Sequence, residues 1–306
     1  MPQGHWLRTL EAGRVVLIDG GTGSELKRRG VVLERAAWSG RAAHDHPQLL
    51  QAIHEDYIRA GAEVIITNTF GTARSNLAAA GLADHAEAIV RQAVAAALAA
   101  RAAHTAVGQN KHVDVAGSLS NLPPNMNPGH YPPEVVETQE LVRQAELLAD
   151  AGVDLIATEM LQHPDHGARA MAAAVHTGLP VWLGVSCRRK DGELVAFNDA
   201  RQPLAEVLKA LLPMGPAVVN IMHTELTAID QTLELVKSLW DGPIGVYPEV
   251  PYSSAPRWHS NLAPAALAEL ASGWVDSGAR LIGGCCGTGP EHIEAMASML
   301  AARRAS

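Results

Sequence analysis

The sequence predicts an α/β fold, a single (β/α)8 barrel, and three observations carry that prediction. Short β-branched runs alternate with longer alanine- and leucine-rich stretches from one end of the chain to the other. A weak internal repeat marks the junctions between them: AGAEVIITN at 60–68, AGVDLIATE at 151–159 and SGARLIGGC at 277–285. The length of 306 residues fits one large barrel or two medium domains, and no linker rich in Pro, Gly and Ser divides the chain.

Taken in order, strands are expected at residues 15–18, 64–67, 113–116, 155–158, 181–185, 217–221, 244–247 and 280–282. Each is a short apolar run, the form taken by a parallel strand covered on both faces. Helices are expected at 47–60, 84–104, 133–151, 164–177, 203–212, 226–240, 264–277 and 290–303. Six of these open on Pro47, Pro133, Pro164, Pro203, Pro264 and Pro290, a position where the missing N–H costs nothing. In the repeat, a glycine closes the helix in a left-handed cap and the strand ends on a polar or metal-capable residue. Barrel enzymes place their chemistry at those carboxyl ends. The one long irregular stretch, SLSNLPPNMNPGHYPP at 118–133, reads as an active-site loop after the third strand.

Composition narrows the function. At 47% hydrophobic and 18% charged residues the chain is not disordered. A formal charge of -8, without a cluster of Lys and Arg among aromatics, excludes nucleic acid as a partner. The amino terminus has no continuous apolar segment, so neither export nor membrane insertion is expected. Cys187, Cys285 and Cys286 are too few and too unevenly placed for a disulfide framework, which points to a reducing cytoplasm. The expected partners are small molecules, and the expected assembly is a monomer or small homo-oligomer. No GxGxxG or GxxxxGK[ST] pattern supports nucleotide binding.

The stretch that organises the rest is GGCCGT, Gly283 to Thr288. Successive side chains on a strand point to opposite faces, so two adjacent cysteines converge only where the strand ends. Gly283, Gly284 and Gly287 supply that freedom. One reading is a pair of thiolates ligating a soft metal such as zinc; the plainer one is a glycine-rich turn holding two small buried residues. Polar residues at the other strand ends join the candidate rim: Asp19 with Gly20, Gly21 and Thr22; Thr67, Asn68 and Thr69; Glu159; Cys187; Asn220 and His223; and Tyr247.

These residues resemble a family, the homocysteine S-methyltransferases, zinc-dependent barrels that include betaine– and S-methylmethionine–homocysteine methyltransferases. The resemblance spans nearly the whole chain. It rests on LIDGGTGSEL at 17–26, IITNTF at 65–70, AGSLS at 116–120, AGVDLIATE, VWLGVSC at 181–187, GVYPE at 245–249 and, above all, WVDSGARLIGGCCGTGPEHI at 274–293. It implies that Cys285 and Cys286 ligate zinc and that Asp19 and Glu159 seat the amino acid group of homocysteine. Thr67, Asn68 and backbone donors near Gly20 and Gly21 are expected to receive its carboxylate, and Asn220 and Tyr247 to complete the substrate site. One departure stands out. The family closes its sixth strand with a third cysteine ligand, where this chain has Ile221 within VVNIMHTE at 218–225. His223, two residues on and by strand periodicity on the same face, is the expected substitute, giving a Cys2His site with one open position.

The implied reaction moves a methyl group from a sulfonium or ammonium donor to the metal-bound thiol of homocysteine, giving methionine. S-methylmethionine or S-adenosylmethionine is preferred over betaine, and Tyr247, Trp258 and Tyr131 are candidates for cation–π contact with the donor. Two alternatives stay open: a diverged barrel without the usual zinc site, acting on another thiol, selenol or donor, and a thiol switch in which Cys285 and Cys286 form a vicinal disulfide.

Overall fold

Apolar runs without polar alternation need cover on both faces, and a closed ring of parallel strands inside a ring of helices provides it. The computed structural model describes residues 4–33, 37, 39–106, 112–121, 123, 127–253 and 259–305. Eight parallel strands, β1 (Val16–Leu17), β2 (Val64–Ile66), β3 (Asp114–Ser120), β4 (Leu155–Leu161), β5 (Val181–Val185), β6 (Val218–Glu225), β7 (Ile244–Glu249) and β8 (Leu281–Ile282), form one sheet. Their order in space is β1-β8-β7-β6-β5-β4-β3-β2. A parallel bridge between Ile18 and Val64 joins the two ends, reinforced by the Asp19 N–H donating to the Val64 carbonyl at 3.0 Å. The ring is closed.

The helices between strands are α1 (Pro47–Ala60), α2 (Ala86–Ala106), α3 (Glu134–Ala151), α4 (Pro164–His176), α5 (Leu204–Leu211), α6 (Ile229–Leu239), α7 (Pro264–Asp276) and α8 (Pro290–Ala305). Each corresponds to a predicted helix, with ends moved by a few residues, as terminal turns allow. Gly61 and Gly152 close α1 and α3 with φ of 113° and 94°, and Gly278 follows α7 with φ of 107°. These are the left-handed caps that the repeat implied.

Alternation along the strands sorts the core into two layers. Leu17, Ile65, Val115, Ile156, Leu183 and Val219 face outward against the helices. Ile18, Ile66, Ala157, Trp182, Met222 and Tyr247 face the barrel axis. Burying each large apolar side chain stabilises the fold by roughly 1.5–3 kcal/mol. A helix not anticipated from the sequence, His5–Glu11, sets Trp6 edge-on against Trp182 with ring centroids 5.3 Å apart.

Three other features differ from expectation. β3 continues through Ser120, so the first residues of the predicted loop at 118–133 are strand. A helix spans Thr22–Arg28 directly after the first glycine turn. Two hairpins, Cys187–Lys190 with Glu193–Ala196 and Tyr252–Ser253 with His259–Ser260, extend from the carboxyl ends of β5 and β7. Among the described residues no helix is long and apolar enough to cross a membrane.

Candidate functional site

The turn after β8 is wedged between its neighbours, and that wedging explains its glycines. A Cβ on Gly283 would lie 2.8 Å from Cβ of Ile18, and one on Gly287, where φ is +87°, would lie 2.2 Å from the Val250 carbonyl oxygen. Backbone bonds hold the turn from the β7 side: Cys285 N–H donates to the Pro248 carbonyl at 2.9 Å, and Val250 N–H donates to that of Cys286 at 2.8 Å. Thr288 completes it, donating through Oγ1 to the Cys285 carbonyl at 2.6 Å.

Held this way, both sulfurs face a cavity of about 290 Å³ at the carboxyl end of the barrel. Their separation is 3.8 Å. Two thiolates bound tetrahedrally to one zinc, at bonds of about 2.3 Å, sit about 3.8 Å apart. The pair therefore fits that ion. Nδ1 of His223 lies 2.7 Å from Sγ of Cys285, closer than the roughly 3.5 Å between a sulfur and a nitrogen on one tetrahedral zinc. The ring and the thiol share a hydrogen bond, and as they stand no three His, Cys, Asp or Glu groups among the described residues are set to hold a metal ion.

The route by which His223 arrives corrects the periodicity argument. Ile221 does not face the barrel interior; it is fully buried in the outer layer. His223 lines the cavity because its own φ is +51° and the register of β6 against β7 shifts between Met222 and Glu225. The left-handed residue breaks the two-residue alternation. β4 does the same: Met160 has φ of +57° and the register with β5 shifts between Thr158 and Leu161. Glu159 thereby comes within hydrogen-bond reach, its Oε2 2.7 Å from Nε2 of His223. Burial pulls the His223 pKa down, but the bonded Glu159 carboxylate, with smaller contributions from Cys286 and Glu249, more than offsets this and the net shift is upward. Burial pushes the Cys285 thiol up, whereas Cys286, hydrogen-bonded by Cys285 and facing His223, is lowered.

The remaining candidates divide. Gly21, Thr67, Asn68, Glu159 and Tyr247 line the cavity with His223 and both cysteines. Asp19, Gly20 and Asn220 do not. Asp19 is wholly buried; its Oδ2 accepts from Ile66 N–H at 2.8 Å and its Oδ1 from the Tyr247 hydroxyl at 3.4 Å. Burial drives its carboxyl well above the usual carboxylate range, and the nearby charge of Glu159 adds to the rise. Gly20 packs where a Cβ would lie 2.6 Å from the Tyr57 ring. Asn220 is fully buried, and its amide has no hydrogen-bond partner among the described residues.

Several donors expected to be available are engaged. The Gly21 N–H is taken by Thr288, at 3.2 Å from both its Oγ1 and its carbonyl oxygen. Ser39 locks both ends of the Asn68 amide, donating through Oγ to Oδ1 at 2.6 Å and accepting from Nδ2 at 2.7 Å. The Thr67 hydroxyl is 2.8 Å from that of Thr69 and accepts from Ser118 N–H at 3.1 Å. Cys187 lies away from the cavity, its sulfur 3.1 Å from Oγ1 of Thr232.

Of the aromatic candidates, Tyr247 lines the cavity. Tyr131 instead stacks on His166 at 3.6 Å, and Trp258 lies outside the described residues. Sequence reasoning missed Phe70, Phe197, Tyr252 and Glu249, which also line the cavity. Phe70 and Glu249 were visible as the last residues of IITNTF and GVYPE; Phe197 follows a hairpin and left no signal. No lysine or arginine among the described residues lines the cavity, whose charges are those of Glu159, Glu249 and His223.

Residues 16–300 match the family profile described as homocysteine S-methyltransferase. The chain is similar to the homocysteine S-methyltransferase of Escherichia coli K12, at 32% identity over 97% of this chain and 99% of that protein. It is also similar to a selenocysteine methyltransferase of Astragalus bisulcatus, at 27% identity over 95% and 94% of the two chains. Mouse betaine–homocysteine S-methyltransferase 1 is 29% identical over 97% of this chain and 75% of its own length. Among solved structures, the metallated form of the homocysteine methyltransferase MmuM from Escherichia coli superimposes with a TM-score of 0.76 at 27% identity, covering 96% of this chain and 99% of that one.

Proposed function

The chain belongs to the homocysteine S-methyltransferase family, and from that premise we propose that it moves a methyl group from a sulfonium donor to the thiol of homocysteine, giving methionine. S-methylmethionine and S-adenosylmethionine are the donors we favour, with betaine after them. The observation that carries the reading is the sulfur pair, 3.8 Å apart at the cavity wall. Sγ of Cys285 and Cys286 would hold zinc, with Nδ1 of His223 as third donor, and zinc bound there would ionise an incoming thiol that is otherwise mostly protonated near neutral pH.

The chain's own groups supply orientation. Glu159 fixes the His223 ring through Nε2, the kind of support that keeps a ligating nitrogen aimed. The same carboxylate is open to the cavity and can receive the α-ammonium of homocysteine. Asp19, out of reach of the cavity, acts on that end through the Tyr247 hydroxyl and is a positioning residue. Asn68 and Thr67, tied internally, shape the wall. Transfer forms a carbon–sulfur bond on the acceptor as the donor's onium–methyl bond breaks, cancelling an anion against a cation. Such a step needs little acid–base help and gains from fixed positions in a partly desolvated cavity.

The test is anaerobic incubation of reduced protein with homocysteine and each donor, read by mass spectrometry for methionine. Methionine formed with a sulfonium donor is the expected result. If no donor gives methionine while a selenol or another thiol is methylated, the acceptor is wrong and the methyl transfer stands.

A further inference from the structure

We propose that Glu249 makes the cavity select its methyl donor by net charge, favouring donors that carry a second positive group over onium compounds whose own carboxylate cancels the charge. The proposal rests on the methyl-transfer reading above. Glu249 ends β7, and the residues on either side of it are bonded to the cysteine turn, Pro248 to Cys285 and Val250 to Cys286. Its side chain lines the cavity, which puts a carboxylate beside the sulfurs.

The other acid in the cavity, Glu159, is bonded to His223 and serves the acceptor's ammonium in the reading above. The Glu249 side chain has no hydrogen bond or ion pair among the described residues, and its strand neighbour in register is Glu225, a second negative group. Aromatic faces from Phe70, Phe197, Tyr247 and Tyr252 line the same space, and among the described residues no lysine or arginine does. Such a lining attracts a cation, and its one basic group, His223, is already bonded to Glu159.

The family's donors differ in this respect. S-methylmethionine and S-adenosylmethionine carry a sulfonium, an ammonium and one carboxylate, for a net charge of about +1 at neutral pH. Betaine and dimethylsulfonio carboxylates are net neutral, and their carboxylate lies close to the onium centre. With the onium against the acceptor sulfur, that carboxylate is held close to it inside the cavity that Glu249 also lines. Because transfer removes the donor's onium charge, attraction to Glu249 is stronger in the ground state than in the transition state and acts on binding.

The experiment compares S-methylmethionine with betaine in the wild type, Glu249→Gln and Glu249→Asp. Removing the charge is expected to raise KM for S-methylmethionine about tenfold with kcat within about twofold, the scale of one interaction at partial exposure. Betaine is expected to hold or improve, so that the preference narrows by about the same factor, and Glu249→Asp should keep it. An unchanged ratio, with both donors weakened together, overturns the proposal. Calorimetric titration of S-methylmethionine and betaine into protein lacking homocysteine gives a second readout. If the wild type methylates nothing, the methyl-transfer reading fails, while a binding preference for the net-positive ligand that Glu249→Gln abolishes would still support charge selection.

Discussion

Nε2 of His223 lies 2.7 Å from Oε2 of Glu159 although β5 runs between the strands that carry them. Both strands leave regular geometry at this point, with Met160 and His223 in the left-handed region at φ of 57° and 51°. Such conformations cost about 1–3 kcal/mol for a residue with a side chain and persist where the surroundings enforce them. The strain turns the imidazole so that its other nitrogen meets Cys285.

If His223 is the third ligand, His223→Ala should reduce bound zinc from near one equivalent to a small fraction in anaerobically purified protein, while His223→Cys restores it. Glu159→Gln keeps a hydrogen-bond acceptor but loses the charge, so zinc affinity should fall by about 10–100-fold, as for supporting groups of other zinc sites. Elemental analysis and a competitive chelator titration measure both. Unchanged zinc in His223→Ala would remove His223 from the ligand set.

His54 gives a pH dependence unconnected with the cavity. It is fully buried on α1, both ring nitrogens lack a partner among the described residues, and burial lowers its pKa from 6.5 to about 4. The folded chain keeps it neutral while the unfolded chain protonates it below 6.5. Stability is therefore lost as pH falls from 6.5 to about 4, by up to ~3 kcal/mol, and no further loss from this group follows below that. His54→Leu should flatten the acid limb of a Tm against pH curve over that window. An unaltered limb would mean that the ring is hydrated or paired in solution.

Most of the barrel was legible because parallel strands covered on both faces are written as continuous apolar runs, and because proline and glycine bracket the helices. The helix His5–Glu11 was not, since its role depends on Trp6 meeting Trp182 across 176 positions of sequence. In the cavity, Glu159, His223, Tyr247 and the two cysteines could be named from strand ends alone. Ile221 could not be placed correctly: periodicity assigns it the same face as His223, and the left-handed backbone at His223 undoes that assignment. Nor could the engagement of the Gly21 N–H be foreseen, because it depends on Thr288, 267 residues away.

The Cys-Cys turn depends on a glycine whose replacement has no room. At Gly287 the backbone is left-handed at φ of +87° and an added Cβ would lie 2.2 Å from the Val250 carbonyl oxygen. Gly287→Ala should cost about 2 kcal/mol or more, combining φ strain with a backbone clash. Because Val250 N–H also holds the Cys286 carbonyl, the shift should reach the sulfurs. Tm and zinc content should fall together. A lower Tm with full zinc would show that the turn yields without disturbing the sulfurs.

Asp19 sets stability against function. Burial raises its pKa far above the value near 3.8 of a free carboxyl, and the Glu159 charge pushes the same way. For an acid shifted upward, the folded chain holds a proton that the unfolded chain releases, so stability falls as pH rises through the interval between the two values. The deficit then remains at higher pH. Asn at this position still accepts from Ile66 N–H, and its amide can donate to the Tyr247 hydroxyl, which continues to donate to the Gly20 carbonyl. Asp19→Asn should therefore have a higher Tm than the wild type at pH 7.5, with the gap closing below about pH 4. The same change replaces the carboxyl behind the Tyr247 hydroxyl with an amide that donates where the carboxyl oxygen accepted, and kcat/KM for homocysteine should fall at least about tenfold. A lower Tm for Asp19→Asn at pH 7.5 would mean that the carboxylate is ionised and paired in the folded chain, and the positioning role would have to be redrawn around a fixed charge.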